Sequence, residues 1–369
     1  MTRLIVAAGG GGDAVAAAML HAALYGDEDQ AVILTYAWDR LLVDPLPGPR
    51  RAADFTGLER LTPAVWAVPA QARTIAPAGS TLPRLAAELP HTFALLDPYQ
   101  GAEGLTHQLE DLVSHLEPES IDLLDVGGDI LARGDEPKLK SPLADALTLA
   151  ACCQVNAPVR LLVAGMGLDG ELLPEDVADA LGPVVHNFTA RDLDAISSVL
   201  EWHPSEATAL LTAAARGVRG VCEIRDAGLP VPLTDESPTV HEVDLDDAVS
   251  RNQLARAIMA TAHLDEAEAY SREICGYSEI DYERNKALWL KEQPTKLDLV
   301  TIWAQLDQFE AEARARGITH TTFRRLTEAL GLPGSQRENL RALLIENRPH
   351  QYAAPLWELS AVKGEQQAQ

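Results

Sequence analysis

A run of four glycines, Gly9 to Gly12, constrains the fold of this chain more than any other feature of the sequence. It follows an apolar segment at residues 3–8, and an alanine-rich segment with helical spacing comes after it at residues 13–24. A second apolar segment occupies residues 31–36. A strand, a glycine turn, a helix and a second strand in this order predict a βαβ unit with parallel strands and a right-handed crossover.

The alternation of strands and helices continues along the first part of the chain. We therefore predict an α/β fold with a doubly wound, mostly parallel sheet of the Rossmann-like type. Its domain is predicted to span residues 1–235, with residues 44–84 as a long excursion over the ligand edge. The further predicted elements are strands at 92–96, 121–126 and 159–164 and helices at 104–116, 142–155 and 174–181.

A Pro-rich stretch at residues 228–238 marks the predicted boundary with a helical C-terminal region, residues 236–369. This region is predicted to serve packing or oligomerisation, so a homo-oligomer is one expected assembly. A Gln-rich tail after Lys363 is predicted to be disordered. Helical spacing occurs at residues 245–274, 282–292 and 297–314, and two shorter helices are predicted within 319–346.

The charge balance restricts the class of partner. The chain has 55 acidic and 30 basic residues and a formal net charge of -25, which repels nucleic acid and anionic membranes. No stretch approaches the ~18 continuous apolar residues that a membrane span needs, and the N-terminus lacks a signal-sequence pattern. The four cysteines show no metal or disulfide spacing. We expect a cytoplasmic protein whose partners are small molecules or proteins.

Three of the predicted strands end in loops that combine glycines with acids. Ligands of open α/β sheets bind beyond the carboxyl ends of the strands, so these loops mark the predicted site. A helix cap would explain each acid alone, but three such loops on one edge favour a shared site. The loops supply Gly9, Gly10, Gly11, Gly12 and Asp13, then Asp125, Gly127, Gly128 and Asp129, and finally Gly165, Gly167, Asp169, Gly170 and Glu171.

Carboxylates crowded in this way repel each other unless a cation joins them or their pKa values rise. We expect Mg²⁺ at Asp13, Asp125, Asp129 and Asp169, with the loop glycines binding phosphate through their amides. Asp129, Asp169 and Glu171 are the acidic residues expected to take part in catalysis. The predicted protein is an enzyme acting on a small phosphorylated sugar or nucleotide; a site for sugar hydroxyls or an amine is the other interpretation.

Four further residues complete the predicted site. Lys140 and Ser141 precede Pro142, which is the expected first residue of a helix, and are predicted phosphate contacts. His186 and His203 are the candidate general acids or bases, because an imidazole titrates near neutral pH.

The acidic glycine loops also carry two resemblances. Over nearly its whole length the chain resembles a prokaryotic family known as a domain of unknown function, number 1152, which implies no activity. Residues 162–171, Leu-Val-Ala-Gly-Met-Gly-Leu-Asp-Gly-Glu, are similar to the Gly-Met-Gly-x-Asp-Gly-His loop of sugar-phosphate lactonases and amino-sugar-phosphate deaminases. This local resemblance implies a phosphosugar on an α/β sheet, but Glu171 stands in place of the motif's histidine, so the chemistry is not carried over.

Two alternative functions come from other patterns. Gly9, Gly11 and Ala14 fit a dinucleotide fingerprint, with Asp39 placed to bind a ribose, so an NAD(P)-dependent oxidoreductase is the first alternative. Asp13 departs from that pattern because it would face the pyrophosphate. Residues 319–344 have the spacing of a helix-turn-helix with several arginines, which gives a ligand-sensing DNA-binding regulator as the second alternative.

Overall fold

The computed structural model describes residues 2–26, 30–225, 228–292 and 302–359. The strands are, in chain order, β1 (Arg3–Gly10), β2 (Ala31–Tyr36), β3 (Phe55–Thr56), β4 (Glu59–Arg60), β5 (Trp66–Ala67), β6 (Arg73–Thr74), β7 (Thr92–Leu95), β8 (Ile121–Val126), β9 (Val159–Ala164), β10 (Val184–Asn187), β11 (Gly220–Ile224), β12 (Leu229–Leu233), β13 (Thr239–Val243), β14 (His320–Thr321), β15 (Tyr352–Ala353) and β16 (Leu356–Glu358). The helices are α1 (Gly12–Tyr25), α2 (Arg40–Val43), α3 (Leu82–Glu88), α4 (Gly101–Leu116), α5 (Pro142–Cys152), α6 (Pro174–Val177), α7 (Ser197–Leu200), α8 (Glu206–Ala215), α9 (Leu245–Arg251), α10 (Gln253–Ile258), α11 (Leu264–Cys275), α12 (Glu279–Lys291), α13 (Ile302–Ala315), α14 (Phe323–Ala329) and α15 (Arg337–Asn347).

A large central sheet organises the first part of the chain. Among the described residues its strand order is β10-β13-β9-β8-β1-β2-β7-β5-β4. The middle strands β9, β8, β1, β2 and β7 are mutually parallel, and antiparallel strands extend both edges. In chain order the parallel strands run 3-2-1-4-5 across the sheet, so the order reverses between β1 and β8. The fold is mixed α/β, as predicted.

Both faces of the central sheet are buried under helices. Alternate residues of β1 point to opposite faces. Leu4 and Val6 pack into an apolar core with α4, α5, α10 and α11, whereas Ile5 and Ala7 pack into a second core with α1, α3 and α8. This burial on two faces explains why the central strands read as continuous apolar runs.

Several elements differ from the sequence-based expectations. In the segment 44–84, β5 pairs with β7 and β4 pairs with β5, so part of the predicted excursion extends the edge of the sheet. The helix predicted at 174–181 is the single turn α6. The helix predicted at 245–274 is divided into α9, α10 and α11. The first break lies at Asn252, whose side chain accepts a hydrogen bond from the Ala255 N–H at 2.8 Å and caps the start of α10.

The region after residue 235 is not purely helical. Strand β13 joins the central sheet beside β9, and α10 and α11 pack on its core. A second sheet has the order β12-β11-β14-β16-β15, and α13, α14 and α15 pack over it around Leu306, Leu326 and Trp357. The domain boundary at residue 235 stays a prediction. Residues 297–301 of a predicted helix and the tail after Lys363 lie outside the described residues.

The arginines of the predicted helix-turn-helix make contacts inside the chain. Arg325 Nε donates to Glu223 at 2.7 Å, Arg341 Nη2 donates to the Tyr352 hydroxyl at 2.5 Å, and Arg337 donates to the Trp202 carbonyl. The DNA-binding alternative stays a prediction. Within the described ranges, the structure contains no helix with the length and apolar character needed to cross a membrane.

Candidate functional site

A cleft with a volume of about 150 Å³ lies at the carboxyl ends of the parallel strands. The segments that follow β1, β2, β8 and β9 line it, so it spans the point where the strand order reverses, which is the usual ligand position in open α/β sheets. Seven carboxyl groups line the cleft against three guanidinium groups. The carboxyl groups belong to Asp13, Asp39, Asp125, Asp129, Asp145, Asp169 and Glu206, and the guanidinium groups to Arg40, Arg225 and Arg324.

The glycine run makes the turn from β1 into α1 and forms one wall of the cleft. Gly11 has a φ of 56°, which favours glycine, and a Cβ on Gly12 would lie 2.0 Å from Ser205 Oγ. No side chain caps α1 at Gly11. The carboxyl of Asp13 accepts a hydrogen bond from the Gly9 N–H at 2.8 Å, so it does not cap the first amides of α1, whose residues Gly12 and Asp13 line the cleft.

Three buried aspartates form the centre of the site. Carboxyl oxygens of Asp13, Asp125 and Asp145 all lie within 4.8 Å of one another. Burial, followed by the charge of Asp169, raises the pKa of Asp125 to about 7. Burial and then the charge of Asp125 raise the pKa values of Asp13 and Asp145 well above the usual range. Within the described part of the chain, no hydrogen-bond donor reaches Asp125 Oδ2 or Asp145 Oδ1. Carboxylate oxygens at this spacing suit a hard divalent cation.

Asp129 and Asp169 extend the acidic cluster. Burial, and then the charge of Glu171, raises the pKa of Asp169 to about 6, and burial followed by the charge of Asp169 raises the pKa of Asp129 well above its usual value. Asp129 Oδ1 and Asp169 Oδ2 are also buried without a hydrogen-bond partner in the described ranges. A Cβ on Gly127 would lie 2.1 Å from Asp169 Oδ2, so this position requires glycine. The structure thus brings all three acidic glycine loops together.

Glu171 lies behind the cleft as a buried anchor. Arg225 Nη1 donates to its Oε1 at 2.5 Å, and the N–H and hydroxyl of Ser141 donate to the carboxyl at 2.8 and 2.6 Å. Burial raises its pKa, but the charge of Arg225 and these hydrogen bonds outweigh burial, so the pKa lies below its usual value. Ser141 lines the cleft, but Lys140 does not. The Lys140 ammonium instead lies 5.5 Å from the centre of the Tyr277 ring.

The two candidate histidines lie in different places. His203 lines the cleft, and its Nδ1 accepts a hydrogen bond from the Ser205 N–H at 3.3 Å. Burial and the charges of Arg337 and Arg84 lower its pKa to about 3, which leaves it neutral near pH 7. His186 is on the edge strand β10, with its Nε2 3.3 Å from Asp192, and it does not line the cleft. The structure therefore does not bring His186 to the predicted site.

Some of the other residues predicted to contact the ligand line the cleft, and others lie behind it. The glycines of the first loop line the cleft, but Gly127, Gly128, Gly165, Gly167 and Gly170 have positive φ and shape the turns behind it. Asp39 lines the cleft, and burial raises its pKa to about 6. Its carboxyl accepts hydrogen bonds from the Thr81 N–H and hydroxyl.

Sequence reasoning missed Asp145, Arg225 and Arg324. Asp145 had a signal, since it is the only charged residue in the apolar segment 142–155. Arg225 has a φ of 56° and Arg40 a φ of 57°, which is uncommon for residues other than glycine, but sequence does not reveal such conformations. Arg324 gave no local signal because α14, which carries it, reaches the cleft only through tertiary packing.

The fold and site define an α/β protein with an acidic cleft at the switch point of its sheet. The chain belongs to the family described as Protein of unknown function (DUF1152), whose model matches residues 4–287. None of the curated proteins and none of the solved structures matches the chain. The matched residues include every carboxyl group of the cleft, whereas Arg324 lies beyond them.

Proposed function

We propose that this protein is an enzyme that acts on a small phosphorylated sugar or nucleotide with the help of a divalent cation. The observation that carries the proposal is the buried cluster of Asp13, Asp125 and Asp145 at the reversal of strand order. The same order supports a doubly wound, Rossmann-like arrangement of the sheet.

The charge of the cleft supports the cation. Seven carboxyl groups and three guanidinium groups line the cleft, and Arg225 and Arg40 already pair with glutamates outside it, so full ionisation leaves at least four negative charges uncompensated in a buried space. Such a cluster is costly without either protons or a bound cation. Mg²⁺ suits it because this ion prefers oxygen ligands, retains several waters and contacts substrate phosphates. When bound, it would polarise a phosphate oxygen and place the ligand.

The glycine wall supports the phosphorylated ligand. Helix α1 is 14 residues long, its N-cap residue Gly11 has no side chain, and the turn into it lines the cleft from Gly10 to Asp13. Amides at a helix N-terminus bind anions because they are unpaired and because the helix dipole is positive there. The cleft volume of about 150 Å³ is below the roughly 300–1,000 Å³ of typical ligand pockets, which favours a compact ligand.

The NAD(P) alternative has support from the same glycine wall and from Asp39, which lines the cleft after β2. Two observations favour the smaller ligand. The cleft volume is small for a dinucleotide, and the Asp39 carboxyl that would bind a ribose accepts hydrogen bonds from Thr81. A dinucleotide would therefore need a wider cleft and a different partner for Thr81.

A thermal-unfolding screen tests the proposal. Wild-type protein is heated with sugar phosphates, ATP, GTP, NAD and NADP, each with and without Mg²⁺. A ligand at 100 times its dissociation constant adds about 2.7 kcal/mol to the free energy of unfolding. We expect stabilisation by a phosphorylated sugar or nucleotide that requires Mg²⁺ and that Asp125→Asn abolishes.

Asp194→Asn is the matched control, since Asp194 is exposed and outside the cleft. Stabilisation by NAD or NADP without metal would favour the oxidoreductase instead. A Mg²⁺-dependent shift that survives in Asp125→Asn would contradict the proposed metal site.

A further inference from the structure

We propose that Arg225 and Arg324 form an anion subsite in the cleft, and that this subsite receives the phosphate group of the ligand. The inference rests on the proposed function and adds to it the residues that recognise the anion. Both arginines line the cleft and both approach one buried carboxyl group, that of Glu206. The backbone N–H of Arg225 donates to Glu206 Oε1 at 3.1 Å while its guanidinium pairs with Glu171, and Arg324 Nη1 lies 3.5 Å from Glu206 Oε2.

Arg324 comes from the part of the chain beyond the family match. It lies in the first turn of α14, directly after β14, which pairs with β11 through Cys222 with His320 and Glu223 with Thr321. The Thr322 hydroxyl accepts the Arg325 N–H at 3.0 Å and donates to Glu206. Strand pairing and this cap therefore fix the start of α14 at the cleft, so the C-terminal region completes one wall of the site.

Arg225 occupies a backbone conformation that its side chain disfavours. Only three residues other than glycine have positive φ in the described ranges, namely Arg40, Glu117 and Arg225, and both arginines line the cleft. Such outliers concentrate at functional sites, where the surrounding structure holds them in place. The ion pair with Glu171 holds the Arg225 guanidinium near Asp129 and Asp169, beside the acidic cluster.

The donor groups at this wall are of the kind that binds a phosphate group. A guanidinium group has five N–H donors in a planar fork, and among the described residues the side chain of Arg225 donates one hydrogen bond, from Nη1 to Glu171. Arg324 Nε donates to Glu328 Oε1 at 3.3 Å and its Nη1 lies 3.5 Å from Glu206 Oε2, so these two carboxyl groups hold the guanidinium at the cleft wall. His203 lines the same cleft, and its buried Nε2 has no hydrogen-bond partner among the described residues.

Calorimetric titration of the full chain tests the subsite separately from the metal. The first titration uses MgCl₂ alone, and the second uses inorganic phosphate at saturating Mg²⁺. We expect Arg324→Gln to weaken phosphate binding by roughly tenfold or more, because a hydrogen bond to a charged group is lost, and to leave the Mg²⁺ affinity within about twofold. Arg324→Lys keeps the charge without the fork and should fall between wild type and Arg324→Gln.

Arg348→Gln is the matched control in the same region. Arg348 pairs with Asp307 at 2.7 Å and does not line the cleft, so both affinities should stay at wild-type values. Wild-type phosphate binding by Arg324→Gln, loss of both phosphate and Mg²⁺ binding in that variant, or no phosphate binding by the wild type would each overturn the subsite. Absence of Mg²⁺ binding in the wild type would refute the proposed function, while phosphate titration without metal would still decide the role of Arg324.

Discussion

Asp125, at the end of β8, and Asp145, in the first turn of α5, bring buried carboxyl oxygens within 4.8 Å of each other. Their exposed fractions are 2% and 4%, so solvent screens their repulsion poorly. Two ionised carboxylates in this arrangement favour either a shared proton or a cation between them. The pair of aspartates therefore destabilises the folded protein whenever neither a shared proton nor a cation is bound between them.

Replacing Asp145 with Asn should separate stability from metal binding. We expect Asp145→Asn to bind Mg²⁺ roughly 10- to 100-fold more weakly, because a charged oxygen ligand is lost. Without metal at pH 8 the same variant should melt a few degrees higher than the wild type, since one buried repulsion is gone. Calorimetric titration and thermal unfolding measure the two effects. Unchanged Mg²⁺ affinity, with Asp194→Asn as the control, would exclude Asp145 as a ligand.

The free energy of unfolding should fall with rising pH in the absence of metal. The pKa of Asp125 rises to about 7 and that of Asp169 to about 6 in the folded protein, from a usual value of 3.8. A carboxyl group with a raised folded pKa stabilises the fold fully below its unfolded pKa, and this contribution is lost as pH rises through the folded pKa. The window is therefore about pH 4 to 7, and the loss from Asp125 alone is roughly 4 kcal/mol.

Denaturant unfolding of wild type and Asp125→Asn across this window measures the effect. The difference between the unfolding free energies of the two proteins cancels the contribution of distant titratable groups. Glu171 and Arg225, which lie near the cluster, are present in both proteins. Saturating Mg²⁺ should raise the stability at pH 8 and flatten the curve, because the ion binds the ionised carboxylates. Parallel curves for the two proteins would argue against the raised pKa of Asp125.

The central strands could be predicted because their burial is local information. The predicted segments 31–36, 121–126 and 159–164 coincide with β2, β8 and β9, since a strand buried on both faces gives an uninterrupted apolar run. Strands β4, β5, β14 and β15 have only two residues each and were not predicted. Pairing with distant segments defines them, and a two-residue segment has no periodicity to detect.

The site shows the same division between local and distant information. Asp13, Asp129 and Asp169 follow strands directly, so the topology of a parallel sheet places them on one edge. Asp145 and Arg324 belong to helices that reach the cleft through packing, and Arg225 follows a strand of the second sheet. Whether these three residues reach the site depends on how the helices and strands pack together, and the spacing of residues along the chain does not predict that packing.

Gly127 should be essential for the position of Asp169. Gly127 has a φ of 118°, and an alanine Cβ at this position would lie 2.1 Å from Asp169 Oδ2. We expect Gly127→Ala to lower the free energy of unfolding by about 2–4 kcal/mol and to weaken Mg²⁺ binding. Gly217→Ala is the matched control, because Gly217 has a φ of 88° and no atom within 4 Å of a Cβ. It should cost about 1–2 kcal/mol and leave Mg²⁺ binding intact. Equal effects of the two variants would mean that backbone strain alone matters.

His203 should remain neutral throughout the physiological range. Burial and the charges of Arg337 and Arg84 lower its pKa to about 3, and its Nδ1 accepts the Ser205 N–H, which leaves the proton on the buried Nε2. We expect its imidazole nitrogen resonances, assigned with His203→Gln, to show no titration between pH 5 and 8. A titration near pH 6.5 would restore it as a candidate general acid or base. A protonated imidazole beside Arg337 and Arg84 is too costly to form, so we expect the flat profile. If His203→Gln also binds phosphate more weakly, His203 acts as a neutral hydrogen-bond donor to the ligand.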